Sequence, residues 1–269
     1  KTDFDAVGQL ANRFECGEFG FGVLDSDQNR IYTGPDLIGS GRPFGPLVDS
    51  KYFSPGWNTD LRTINHVIEE RGVQVYSSQL FEADTLVAVF NGLYVRTHDH
   101  DTNPETQKTV AEFLENEKKI GKKPFLLPQK QSGTWTGNMD VYNVQQEKVG
   151  VNQVTIKYTP ITLLRARMDV TIEGVINRQF SYERSRYENH HQYHGPDVFG
   201  NAIAYGRYLF GIQHFYGEAM KFWSRDVMLD ANNTLCSMWQ FYNSQQEEFT
   251  TFGVLDWTPG DFVLKAQYL

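Results

Sequence analysis

The chain has 269 residues, 40% of them hydrophobic and 14% aromatic. That is enough apolar material for one large core or two small ones, and it excludes a disordered chain. The net charge of -8 excludes a general nucleic-acid binder, because attraction to phosphate needs a basic surface or a dense basic patch. No apolar run approaches the roughly 18 residues of a membrane-spanning helix.

Lys1-Thr2-Asp3-Phe4 shows neither an initiator Met nor an apolar signal core. The expectation is a soluble chain, mature or trimmed, and a secreted or organellar location after loss of a targeting peptide is compatible with it. Cys16 and Cys236 are the only cysteines. Two readings stand: two buried thiols, or one disulfide tying the N-terminal segment to the C-terminal half. Asn232-Asn233-Thr234 is a glycosylation sequon in a turn-like stretch.

Residues 14–34 read as a hairpin. Phe19, Phe21 and Val23 alternate with Gly20 and Gly22, and Asp25-Ser26-Asp27-Gln28-Asn29 supplies turn chemistry. Residues 34–56, with four prolines and five glycines among apolar Phe44, Leu47 and Phe53, read as a long ordered loop. Asn58 or Thr59 can cap a helix to about Arg71, with Leu61, Ile64, Val67 and Ile68 as its stripe. A hairpin over 73–81 and 85–96 follows. A second helix starts at the Asn103 cap with Pro104 in first position, carries Val110, Phe113, Leu114 and Ile120, and ends at Gly121.

Beyond Pro124 and Pro128 the signal is strand after strand. In 165–173, Arg165, Arg167, Asp169, Thr171 and Glu173 take one face, and Ala166, Met168, Val170 and Ile172 the other. Further strands are expected near 135–143, 151–158, 176–187, 202–216, 219–229, 234–243, 248–257 and 261–268. Turns are expected at Asp230–Asn233 and Asn243–Gln246. That makes about nine strands, and roughly eight close a barrel around a small ligand. The echo of Phe21-Gly22-Val23-Leu24-Asp25 in Phe252-Gly253-Val254-Leu255-Asp256 is too short to establish a duplication.

The strand series opens with Gly133-Thr134-Trp135. A G-x-W at the head of the first strand, a helix before it and only up-and-down strands after it resembles the lipocalin/calycin barrels over residues 123–269. The resemblance implies a ligand cavity and no catalytic residues. It also implies that Trp135 closes the barrel floor beneath a basic residue of a late strand, where this chain offers only Lys265. The expected fold is mainly β: an antiparallel up-and-down, lipocalin-like barrel over 124–269, with an N-terminal α+β extension over 1–123 packed on it.

Few motifs carry chemistry. His190-His191-x-x-His194, flanked by Tyr187 and Tyr193 and followed by Gly195-Pro196, reads as a loop at the barrel rim. Its spacing suits no standard metalloenzyme pattern, so no metal is expected. His98-Asp99-His100-Asp101 reads as a strand-to-helix turn. Asp25-x-Asp27-x-Asn29 lacks the glycine a calcium loop needs, since Arg30 stands there. Gly39-Ser40-Gly41 is not a dinucleotide fingerprint, and neither a nucleophile elbow nor a P-loop is present. No cofactor is expected.

Arg178, Arg184, Arg186, Arg207 and Arg225 interrupt apolar or aromatic strand faces. They either pair with Glu173, Glu183, Glu218 or Asp226, or offer a guanidinium to a ligand. The expected ligand site combines Tyr205/Arg207, Trp223/Arg225 and Trp239/Phe241, each two apart on a strand, with His190, His191 and His194 at the mouth. A register shift of one residue would instead send these outward and fill the core with Phe222, Met228, Met238 and Phe252. The expected function is binding or carrying of an apolar or amphipathic small molecule, with an anionic one suiting the arginines. Two alternatives stand: a cofactor-free isomerase, cyclase or lyase with Tyr or His as acid and base, and a structural subunit of a homo-oligomer or larger assembly.

Overall fold

The computed structural model describes residues 10–14, 17–25, 30–33, 37–95, 101–120 and 129–265. The chain forms two compact units, 1–110 and 111–269.

The first unit is an antiparallel sheet of eight strands paired in chain order. They are β1 (Leu10–Phe14), β2 (Gly17–Asp25), β3 (Arg30–Thr33), β4 (Ile38–Phe44), β5 (Leu47–Ser54), β6 (Thr59–Ile68), β7 (Val73–Glu82) and β8 (Thr85–Val95). Two expectations are corrected here. The Pro/Gly-rich stretch is not a loop but the β4–β5 hairpin, with Phe44 paired to Leu47 across Gly45-Pro46 and both fully buried.

The helix expected over 58–71 is strand β6. Thr59, Thr63, Ile64, Val67 and Ile68 are β-branched and stiff at χ1, which favours a pleated strand over a helix. Thr63 and Ile64 are buried and Val67 exposed, with β5 and β7 on either side. The 73–95 hairpin forms as expected. The turn residues 26–29, Cys16 and the segment from His98 to His100 lie outside the described residues.

Helix α1 (Pro104–Ile120) begins as its sequence implies. The Asn103 side chain accepts from the Glu105 backbone N–H at 3.0 Å. Asn103→Ala is expected to remove about 1 kcal/mol of local helix stability, read as faster amide exchange in the first turn of α1. Val110 and Phe113 are half-buried while Leu114 is 53% exposed, so the apolar stripe is narrower than the pattern suggested. Gly121 lies outside the described residues.

The second unit is a closed antiparallel barrel of ten strands in chain order. They are β9 (Gln131–Asn143), β10 (Lys148–Thr162), β11 (Arg165–Gly174), β12 (Arg178–Tyr187), β13 (His190–Pro196), β14 (Val198–Tyr205), β15 (Tyr208–Phe215), β16 (Met220–Met228), β17 (Leu235–Asn243) and β18 (Gln246–Val263). β18 pairs back on β9 and removes the sheet edge. The alternation in β11 places Ala166, Met168, Val170 and Ile172 inside, all buried.

Three boundaries differ from the sequence reading. The stretch 202–216 is not one strand but β14 and β15, turned at Gly206, whose φ of 57° is left-handed and suits glycine. The expected strands 248–257 and 261–268 are the single long β18. The His190–Pro196 segment is not a rim loop but strand β13, with His191 and Tyr193 buried and His190, Gln192 and His194 exposed.

The G-x-W motif has a packing reason. Trp135 is fully buried, and its indole N–H donates to the Asn233 carbonyl at 2.6 Å. Its ring lies 4.2 Å from that of Trp257 in β18 and 6.1 Å from Tyr158. A Cβ at Gly133 would stand 2.2 Å from the Trp257 ring. Gly133 is therefore the gap into which Trp257 fits. The late-strand partner of Trp135 is this aromatic residue, not a base. Gly133→Ala is expected to push Trp257 off Trp135 and destabilise the barrel by about 1–3 kcal/mol of overpacking, with tryptophan fluorescence as the readout.

Candidate functional site

The strands place one set of turns (163–164, 188–189, 206–207 and 229–234) at one end of the barrel, here the upper end, with Trp135 just inside it. The lower interior is an aromatic floor. Phe222 lies 5.9 Å from Phe215, 5.8 Å from Phe180 and 5.2 Å from Phe241, ring to ring. Packing of this kind leaves no channel for a long apolar chain.

The upper interior is polar. A cavity of about 40 Å³ is walled by Trp135, Phe222 and Trp239 and lined by Arg184, Gln213, Ser224, Asp226, Tyr182 and Tyr193. It has room for about three water-sized groups. Cross-strand register explains the convergence. Arg184 opposes Tyr193, Gln213 opposes Phe222, and Ser224 opposes Gly211 and Trp239. Asp226 opposes Ser237, so its side chain shares the inward face. A Cβ on Gly211 would stand 2.7 Å from the Ser224 hydroxyl and 3.2 Å from the Tyr193 hydroxyl. The absence of a side chain there helps keep the polar space open.

The charges in this cluster are ordered by burial. Arg184 is 2% exposed, and its Nε donates to Nδ1 of His191 at 2.7 Å. An imidazole that accepts at Nδ1 is neutral with its proton on Nε2. Burial, reinforced by the Arg184 and Arg186 charges and by His190, pushes His191 down to about 2. Burial pushes the Asp226 carboxyl up to about 6. The nearby Ser237 hydroxyl, the Trp239 indole N–H donating at 3.3 Å, Arg184 and the Ser224 hydroxyl hold it from going higher. Tyr182 is pushed up to about 12 by burial, against the pull of Arg184. Burial likewise raises Tyr193. At neutral pH the cluster therefore holds one guanidinium, one carboxylate and neutral rings. Gln213, 4% exposed, keeps its side-chain carbonyl oxygen without a protein partner.

The residues expected to form the site are dispersed. Trp239 and Phe241 point inward, Trp239 onto the cavity and Phe241 into the floor. Trp223 and Arg225 alternate with inward Phe222, Ser224 and Asp226, so they stand half-buried on the outer wall. Tyr205 is 38% exposed beside the 206–207 turn. Arg207 is 8% exposed in that turn and pairs with Glu117 of α1 at 2.5 Å. His191 belongs to the inner cluster through Arg184. His190 and His194 face outward, and His194 lies 3.4 Å from the Ser185 hydroxyl. The two registers considered for the core are both realised in part: Phe222 and Met228 are in the core with Trp239 and Phe241, whereas Met238 and Phe252 are buried outside that inner cluster.

Of the five arginines singled out, Arg178 pairs with Glu218 at 2.7 Å, whereas Glu183 is taken by Arg165 at 2.5 Å. Among the described residues no group of three or more His, Cys, Asp or Glu side chains could hold a metal ion. No helix among them is long and apolar enough to cross a membrane.

Sequence reasoning missed Gln213 and the serines, and offered Asp226 only as an ion-pair partner for an arginine. The usable signal was a polar residue on an otherwise apolar face: Arg184 follows Phe180 and Tyr182 in β12, and Asp226 follows Phe222 in β16.

No family model and no curated protein matches the chain. Among solved structures it is similar to a protein of unknown function from the DUF3598 family of Nostoc punctiforme, at 12% identity and a TM-score of 0.50. The match covers 93% of this chain and 94% of that one. At that identity the likeness is one of fold alone.

Proposed function

We propose that the barrel binds a small amphipathic molecule, with its polar group in the upper cavity among Arg184, Gln213 and Asp226. The observation that carries this reading is the cluster itself. A buried guanidinium and a half-buried carboxylate, with serines and a glutamine around a cavity, cost desolvation energy that an apolar filling would avoid. Such groups with unfilled space between them are what a ligand site needs. The apolar body would lie against Trp135, Leu209 and Leu235, which also line the cavity. The Phe180–Phe215–Phe222–Phe241 floor argues for a short ligand over a long fatty acid or carotenoid. A lipocalin-like kinship of the barrel is part of the same proposal.

The test is thermal stabilisation by short-chain alcohols, ketones, amides and acids, with a long-chain fatty acid as control. Some short-chain members are expected to raise the melting temperature, by about 2.7 kcal/mol of linkage at a hundredfold excess over Kd. The effect should vanish in Gly211→Leu, which fills the space between Ser224 and Tyr193. No stabilisation by any short ligand, or stabilisation that persists in Gly211→Leu, would end this reading.

A second reading is favoured by one observation. The Asp226 carboxyl lines the cavity and is pushed up to about 6 by burial, toward the range of a general base in a cofactor-free isomerase. Wash-in of deuterium from solvent into a bound short-chain ketone, lost in Asp226→Asn, would support it.

A further inference from the structure

We propose that the upper cavity selects an uncharged ligand group that both accepts and donates hydrogen bonds, of the primary-amide type, over carboxylates and over cations. This rests on reading the barrel interior as a ligand site.

The argument is one of charge balance in a closed space. Arg184 and Asp226 line the same cavity with opposite charges. His191 adds none, because Arg184 donates to its Nδ1, and Tyr182 and Tyr193 are neutral phenols. Of the nearby charges at the upper end, Arg207 is already paired with Glu117, and Arg186, which does not line the cavity, donates to the Glu188 carbonyl. An incoming carboxylate would meet Arg184 but also Asp226, and an incoming cation would meet the reverse. In an enclosed site of low dielectric neither charge recovers the hydration it loses. A neutral group loses far less. Its carbonyl oxygen meets the guanidinium side, and its N–H or O–H meets the side-chain oxygen of Gln213, a buried acceptor without a protein partner. A primary amide offers both functions within the few atoms that a cavity of about 40 Å³ admits. The arginines that suggested an acidic ligand from sequence, Arg207 and Arg225, do not line this cavity.

Three probes of the same size and shape differ only in charge: acetamide, acetate and acetamidinium. Ligands this small bind in the millimolar range, so the 269-residue chain is titrated with each at neutral pH while the Trp239 indole N–H is followed by NMR. Acetamide is expected to bind at least about tenfold more tightly than either ion. That ratio is the scale of one buried charge or hydrogen bond left unmatched. Asp226→Asn leaves Arg184 unopposed and should reverse the order of acetamide and acetate. If that variant does not fold, Gln213→Leu serves instead: it removes the amide's acceptor and donors without changing charge and should weaken acetamide by about tenfold. Acetate or acetamidinium binding as well as acetamide to the unmodified protein overturns the selectivity and leaves the ligand site standing. Failure of all three to bind overturns the selectivity and the site together.

Discussion

Trp135→Ala is expected to lower the stability of the barrel unit by about 3–5 kcal/mol, the range for truncating a fully buried tryptophan. For a unit of this size that corresponds to a fall in melting temperature on the order of 10 °C. Three losses combine. The indole leaves a cavity at the upper end, where Trp257 and Tyr158 lose the ring they pack on. The Asn233 carbonyl loses its donor. The turn from Asp230 to Thr234 loses its tie to the strand that begins the barrel, although Asp230 still accepts from the Asn232 and Thr234 backbone N–H groups at 2.9 and 3.2 Å. Trp135→Phe keeps the packing and drops only the hydrogen bond, so it should recover more than half of the loss. Calorimetry on the three proteins separates these contributions. An unchanged transition in Trp135→Ala would mean that the tryptophan closes nothing and that the G-x-W likeness is coincidental.

The barrel was legible because one face of each strand is dry. In β11 every second residue from Ala166 to Ile172 is apolar and buried, and period-2 alternation survives any uncertainty about neighbours. The same logic says less where a strand is buried on both faces or bears polar residues inside. β17, expected over 234–243 and found over 235–243, has no alternation to assign its faces, since Leu235 to Phe241 are buried without interruption. β13 carries histidines on both faces, and composition alone made it a loop. β6 was taken for a helix because Leu61, Ile64 and Ile68 happen to satisfy a helical spacing. Only its β-branched content argued otherwise, and propensity is the weaker signal when read alone.

The candidate site was less legible than the fold, for a geometric reason. Which of two adjacent residues faces inward depends on a register that a single strand does not encode. Trp223 and Arg225 stood against Phe222 and Met228 as alternatives until the β15 and β17 pairings fixed the parity. Arg184 was visible as an odd residue on an apolar face. Asp226 was one of four carboxylates offered as partners, and nothing within one strand tells that β16, four strands from β12 in the sheet order, turns it onto the same cavity.

The second large effect concerns acid stability, and it comes from two buried groups with opposing shifts. His191 has its pKa lowered from 6.5 to about 2. The unfolded chain therefore takes up the proton first, and the stability this residue contributes is complete above its unfolded value and lost as pH falls below it. Asp226 has its pKa raised from 3.8 to about 6. Here the folded protein takes up the proton first, so the contribution is complete below the unfolded value and lost as pH rises toward the folded one. Each lone slope is about 1.4 kcal/mol per pH unit. Between roughly pH 4 and 6 the two run in opposite directions and nearly cancel. Below that window His191 acts alone.

Removing one group should expose the other. Asp226→Asn is expected to lose about 2–3 kcal/mol between about pH 6.5 and 4.5, while the unmodified protein changes little from this pair. His191→Gln should show the reverse, becoming more stable by about 2 kcal/mol as pH falls from about 6 to 4. Surface carboxylates are common to all three proteins and drop out of the differences. Urea unfolding at a series of pH values reads the result. Three parallel curves would mean that neither group titrates differently in the folded barrel, and the charge balance assigned to its interior would fall with them.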